Sequence, residues 1–277
     1  MNSKFRRPIA LILSAVALVA GLVLVRPGIP AQAAQSGKTI RLGTSPGPYS
    51  QLFLDGVKPI LQKEGYTVTT QSFSDLIHAD LALSQGDVDL NVEQHSAWLE
   101  NFNKEKHSDF VALTPIPTVP AGIFPGSSKS LKNIKKGAKV AIPNDPSNLS
   151  RAYQLLAQAK LITLKSKATA SNVTQHDIKS NPHSLKFVEM SSAQIPRAIK
   201  DVNYAVIPGS ISYNAKIPAK SALKTEKLQK QYLLVATVNK SEANKPWAKA
   251  VKKAYQSKTF KDYVKNHNKQ GYWYIPK

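Results

Sequence analysis

The 277-residue chain has no cysteine. That excludes disulfide staples, thiolate zinc sites, a cysteine nucleophile and a lipid-modified N-terminal cysteine. Acids are scarce: 17 Asp and Glu stand against 38 Lys and Arg, a formal net charge of +21. The G-x-S-x-G, G-x-G-x-x-G, P-loop and H-E-x-x-H patterns are all missing, so the common hydrolase, dinucleotide, NTPase and metalloprotease signatures do not apply. The six histidines (His78, His95, His107, His176, His183, His267) never recur at i+3 or i+4, which argues against a helical metal pair. Lysines are spread evenly, and no Arg-rich run with interleaved aromatics speaks for nucleic acid. Beyond residue 25 no long apolar run occurs.

What is present begins at the N-terminus. Lys4, Arg6 and Arg7 precede an uncharged apolar run over 9–25. Arg26-Pro27-Gly28-Ile29-Pro30 breaks it, and Ala31-Gln32-Ala33 is an A-x-A site. This is the pattern of an export signal cleaved after Ala33, with an uncleaved anchor as the alternative. The segment holds four cations and no acid, so most of the basic excess lies beyond it. Such a charge suits an anionic surface such as a cell wall or lipid headgroups.

Composition is that of a globular chain, 42% hydrophobic and 20% charged, long enough for one large domain or two modest ones. Strand-like runs fall at 39–42, 66–70, 88–90, 138–142, 185–188, 204–207 and 231–238. Helical spacing occupies 75–85, 149–160, 193–200 and 247–267, and a helix after residue 51 is interrupted by Pro59. The alternation predicts an α/β fold with mostly parallel sheets. Pro- and Gly-rich zones at 114–125 and 207–218 bracket an inserted second lobe with two chain crossings and a cleft between lobes. The expected division is a signal over 1–33, a first lobe from 34–118 and 212–277, and a second from 119–211.

Asp87 and Asp89 share a face and could form a carboxylate pair, but no apolar pocket is evident to tune them, and a solvated turn is the simpler reading. The informative segment is Ala141-Ile142-Pro143-Asn144-Asp145-Pro146-Ser147-Asn148-Leu149-Ser150-Arg151-Ala152. A strand ends in a turn, Ser147 or Asn148 is the expected N-cap, and free N–H groups at the helix start favour an anion. Arg151 falls within the first two turns, where a cation opposes the helix dipole by ~0.3–1 kcal/mol. A residue that breaks a local rule often serves a function, and Arg151 is placed to fork onto a carboxylate.

These residues bring out a likeness. The chain resembles the NlpA family, the methionine-type substrate-binding proteins of ABC importers, from Ile40 to about Gly271. The likeness rests on Gly43-Thr44-Ser45-Pro46-Gly47-Pro48, Phe73-Ser74-Asp75, Gly86-Asp87-Val88-Asp89, Gln94-His95 with Leu99, the Ala141 to Ala152 segment, Ile195-Pro196-Arg197 and Ala205-Val206-Ile207. The resemblance implies a two-lobed periplasmic-binding-protein fold that closes on a ligand and performs no chemistry. It assigns the ligand carboxylate to Arg151, with Asn148 and His95 lining the site and Phe73 and Trp98 retaining part of an aromatic cage. Leu76, Glu93 and Pro208 stand where the family has Tyr, Phe and Asn, and Ala79-Asp80 replaces its Pro-Asn. The lipobox cysteine is absent.

A buried Glu93 would oppose a thioether ligand unless a positive group pairs with it; alternatively it turns away and methionine is retained. The expectation is an exported solute-binding protein for an amino acid or small peptide, with specificity moved from methionine toward a cationic or amino-rich ligand. Its expected partners are an ABC permease and anionic cell-wall polymers, with no nucleic acid, cofactor or metal. It is expected to be monomeric and extracellular or surface-associated without a lipid anchor. The competing reading is a surface adhesion protein whose cleft has decayed.

Overall fold

The computed structural model describes residues 38–165, 172–268 and 271–276, so the expected signal over 1–33 lies outside the described residues. In chain order the elements are β1 (Thr39–Thr44), α1 (Tyr49–Leu52), α2 (Lys58–Lys63), β2 (Thr67–Ser72), α3 (Leu76–Gln85), β3 (Leu90–Asn91), α4 (Ser96–Lys106), β4 (Phe110–Pro115) and β5 (Gly122–Pro125). They continue with β6 (Lys139–Pro143), α5 (Pro146–Gln158), β7 (Thr163–Leu164), β8 (Ile178–Ser180), β9 (Lys186–Met190), α6 (Ile195–Ala198) and β10 (Tyr204–Ile207). The last are α7 (Gly209–Asn214), β11 (Lys224–Thr225), β12 (Val235–Asn239), α8 (Pro246–Gln256) and α9 (Lys258–His267).

Two five-stranded sheets form, in the orders β2-β1-β3-β12-β4 and β11-β5-β10-β6-β9. Each carries one lobe of a two-lobed α/β fold. The sheets are mixed, which corrects the mostly parallel expectation. β1, β2 and β3 pair in parallel, as do β6, β9 and β10. β12 runs antiparallel to β3 and β4, and β5 antiparallel to β10 and β11. Parallel neighbours need a helical crossover, whereas the antiparallel strands adjoin the interlobe crossings, which carry no α-helix. The second lobe also extends past the expected boundary at 211, because Lys224 and Thr225 of β11 pair with Ile123 and Gly122. The Pro-Gly zone after β10 is the start of α7 and not a crossing.

Each lobe closes its own apolar core. In the first, Ile40, Leu42, Val57 and Leu61 meet Trp247, Val251 and Phe260. In the second, Val140, Ile142, Tyr204 and Val206 meet Tyr153 and Leu156 of α5. Burying each such side chain stabilises the fold by about 1.5–3 kcal/mol. The expected helix over 247–267 is two helices. Ser257 adopts extended backbone, and its hydroxyl accepts the Phe260 N–H at 3.1 Å to start α9. The helix containing Pro59 begins afresh after a π-helical turn over Phe53–Val57, with Pro59 in its first turn, where its missing N–H is harmless. The final strand starts at Val235, later than expected, because Lys230–Tyr232 form a 3-10 turn. Among the described residues no helix is long and apolar enough to cross a membrane.

Candidate functional site

The parallel strands of both lobes deliver their carboxyl ends to one crevice, where open α/β sheets take ligands. β1 leads to Ser45, Pro46 and Tyr49, α3 starts at Leu76, and β3 leads to Glu93, Gln94 and His95. From the other lobe β6 leads to Asn144, Asn148 and Arg151, β9 to Ser191 and Ser192, and β10 to Pro208 and Ser210. All of these line one cavity of about 580 Å³, within the ~300–1,000 Å³ of small-molecule sites.

α5 sets the second lobe's wall. Its cap is Asp145, not the expected Ser147 or Asn148: Oδ1 accepts the Asn148 N–H at 2.9 Å, and Pro146 takes the first helical position. The helix start is thus already served by a carboxylate, and the free-amide argument for an anion there does not hold. Arg151 is buried at 4% exposure. Its Nε donates to both carboxylate oxygens of Glu226, at 3.0 and 3.2 Å, and its Nη2 donates to Oε1. The same Oε1 accepts the Ala121 N–H at 2.6 Å. Glu226 therefore ties both interlobe crossings to α5. The Tyr232 ring lies 5.1 Å from the guanidinium carbon. Burial works against the Arg151 charge, and Glu226 more than offsets it, so its pKa is raised. Glu226 occupies one edge of the guanidinium. Among the described residues Nη1, at the end of the side chain, has no hydrogen-bond partner.

His95 caps α4. Its Nδ1 accepts the Trp98 N–H at 3.1 Å, so that nitrogen carries no proton; Nε2 then bears it and donates to Asn148 Oδ1 at 3.3 Å. Burial, reinforced by the Arg151 charge, pushes the imidazole down to about 3, so it stays neutral. This bond joins the lobes across the cavity. Asn148 Nδ2 donates to Asp145 at 3.0 Å, which fixes the amide's orientation and leaves its second hydrogen for a ligand.

Trp98 lines the cavity, and its Nε1 donates to Asp80 at 2.9 Å. Asn91 donates to the same carboxyl at 2.8 Å, and Gln94, with its amide set to satisfy both ends, donates as well. Asp80 and Trp98 therefore serve each other. Burial pushes Asp80 up to about 8 against the pull of these donors. Leu76 and Pro208 also line the cavity. Phe73 does not. Its ring packs over Gly43 beside Val88, among the cluster of Leu83, Leu99 and Phe110, which corrects its assignment to the cage.

Glu93 is in the cavity wall yet only 8% exposed, so it does not turn to solvent. Its Oε1 accepts both the N–H and the hydroxyl of Ser50, each at 2.7 Å. The carboxyl lies against Gly47, where any Cβ would overlap Oε2. Burial pushes Glu93 up to about 7 despite the Ser50 donors.

Away from the cavity, Asp89 binds the Arg41 guanidinium at 2.6 and 3.1 Å, while Asp87 contributes only its carbonyl; they are not a catalytic pair. Among the described residues no cluster of ligating side chains could hold a metal. Sequence reasoning missed Glu226, Ser50 and Tyr232. An acid amid lysines carried no motif, and only the fold brings it to Arg151.

The NlpA lipoprotein family model matches residues 40–275. The chain belongs to that family. It is 31% identical over 244 residues to the D-methionine-binding lipoprotein MetQ of Salmonella typhi, covering 87% of this chain and 89% of that one. A nutrient binding protein from Burkholderia cenocepacia bound to methionine superposes with a TM-score of 0.79 at 34% identity, covering 86% of this chain and all of the other. The substrate binding protein of a methionine transporter from Streptococcus pneumoniae gives 0.76 at 28% identity, with 87% and 96% covered. NlpA membership and these neighbours support a solute-binding role.

Proposed function

We propose that this protein is the exported solute-binding component of an ABC importer. It takes an amino acid or small peptide between its lobes by the ligand's carboxylate and passes it to a membrane permease. The observation that carries the reading is Arg151, buried in the cavity wall with its Nη1 end unpaired among the described residues. A guanidinium edge held rigid by Glu226 and Tyr232 suits bidentate capture of a carboxylate. Asn148, linked to His95 across the lobes, supplies a donor beside it. The relatives' methionine-related names support an amino-acid ligand, and the N-terminal pattern supports export. A cavity that keeps Arg151, Asn148 and His95 in its wall argues against a decayed cleft.

The test is a thermal-shift screen of L- and D-amino acids and short peptides. A ligand at 100 times its Kd adds about 2.7 kcal/mol of stability, which reads as a clear rise in melting temperature. A flat screen across the whole set would overturn the proposal.

A further inference from the structure

We infer that Glu93 forms a second, cation-binding subsite in this cavity, which selects ligands carrying an ammonium group apart from their carboxylate. The inference rests on the carboxylate-anchored reading of the cavity and names the ligand class it takes.

Glu93 is a buried carboxyl without a cation. Among the described residues no Lys, Arg or His forms an ion pair with it. Its polar contacts are the Ser50 N–H and hydroxyl, both on Oε1. Oε2 accepts no hydrogen bond from the described residues. Buried carboxylates are ordinarily paired or protonated, and one that keeps a free oxygen facing a cavity can take its partner from a ligand. Here the residue lines a cavity with room for that partner. Asp80 is the instructive contrast: it too is buried without a cation, but Trp98, Asn91 and Gln94 fill both of its oxygens, and it does not line the cavity.

Among the described residues nothing else in the wall neutralises Glu93. The titratable groups that sense it are Tyr49 on α1 and Tyr255 on α8; burial raises both hydroxyls, so both are neutral. Arg151 is matched by Glu226 and acts on Tyr49 and His95, but it does not shift Glu93. The two charges therefore stand apart, on opposite lobes. A ligand that bridges them bears its carboxylate at one end and its ammonium at the other. Two sources supply this chemistry: the side chain of a basic amino acid, and the free amino terminus of a short peptide. With its carboxyl raised to about 7, the empty subsite holds roughly half a proton at neutral pH, which an arriving ammonium displaces.

The experiment is calorimetry at pH 7 on the full exported protein, with paired ligands that differ only in the ammonium. Lysine is set against norleucine, and dipeptides with free amino termini against their N-acetyl forms. Titrations in two buffers of different ionisation enthalpy count the protons released. At least one ammonium-bearing member should bind ten-fold or more tighter than its partner, with a fraction of a proton released. Glu93→Gln, which keeps an acceptor for Ser50, should bring that ratio to about one. Lysine winning assigns the subsite to a side chain; a dipeptide winning assigns it to a peptide terminus. If norleucine and acetylated peptides bind as well as their partners while binding still needs the carboxylate, the subsite is refuted and the carboxylate reading stands. If no ligand of either kind binds, both fall together.

Discussion

Glu226→Ala exposes how much the site depends on a residue that stands behind Arg151. Removing this carboxylate leaves Arg151 charged, 4% exposed and without its partner. It also strips the Ala121 N–H of its acceptor. Breaking one side of a buried ion pair costs about 3–5 kcal/mol, because the remaining charge stays desolvated. For a chain of this size each kcal/mol lowers the melting temperature by roughly 2–4 °C, so a fall on the order of 10 °C is expected. The assay is thermal unfolding at neutral pH without ligand, followed by circular dichroism. A companion variant separates charge from shape. With Arg151→Met and Glu226→Leu together neither charge of the pair is left buried, and apolar replacements of such pairs are often neutral or better. The double variant should regain most of the loss while losing ligand binding. A Glu226→Ala protein that melts within about 1 °C of wild type would refute the reasoning.

Asp80 and Glu93 make stability fall with rising pH. Both folded-state values, about 8 and about 7, lie above the unfolded ones, so the folded state binds more protons between about pH 4 and 8, and the stability this adds is lost as pH rises through those values. Melting should drop steadily from pH 5 to 8 and less steeply in Asp80→Asn, which keeps Glu93; a flat wild-type profile would contradict the assignment. Gly47→Ala should cost about 1–3 kcal/mol as an overpacking change, since its Cβ overlaps Glu93 Oε2, and an unchanged urea midpoint would argue against the tight approach. Asn148→Ala removes the His95 bond across the lobes and should weaken ligand binding by about 1 kcal/mol, read by titration.

The strands that pack both faces were the most legible part of the chain. Tyr204–Ile207 is four apolar residues in a row and forms the strand the pattern predicts. Arg151, Asn148 and His95 were legible because a strand-turn-helix motif carried the first two and a second motif the third. The turn itself misled: Asn-Asp-Pro-Ser-Asn offers several caps, and the proline settles it by taking the first helical position behind Asp145. Phe73 read as a cage aromatic from its place in a motif, yet it follows β2 and falls onto the core cluster under α3 and α4. Glu226 was invisible, since it meets a residue 75 positions away and nothing local distinguishes it from a solvated acid. The later second-lobe boundary was hidden likewise, because β11 is only two residues long.

The proposed role of Arg151 is to hold a ligand carboxylate. The most direct measurement is the affinity ratio between a ligand's free acid and its C-terminal amide, in wild type and in Arg151→Lys. Lysine keeps a cation for Glu226 but gives up the planar fork. Wild type should prefer the free acid by about 1.5–3 kcal/mol, the scale of a charged hydrogen bond, and most of this preference should disappear in Arg151→Lys. Equal affinity for acid and amide in the wild type, or a preference that survives the substitution intact, would contradict it.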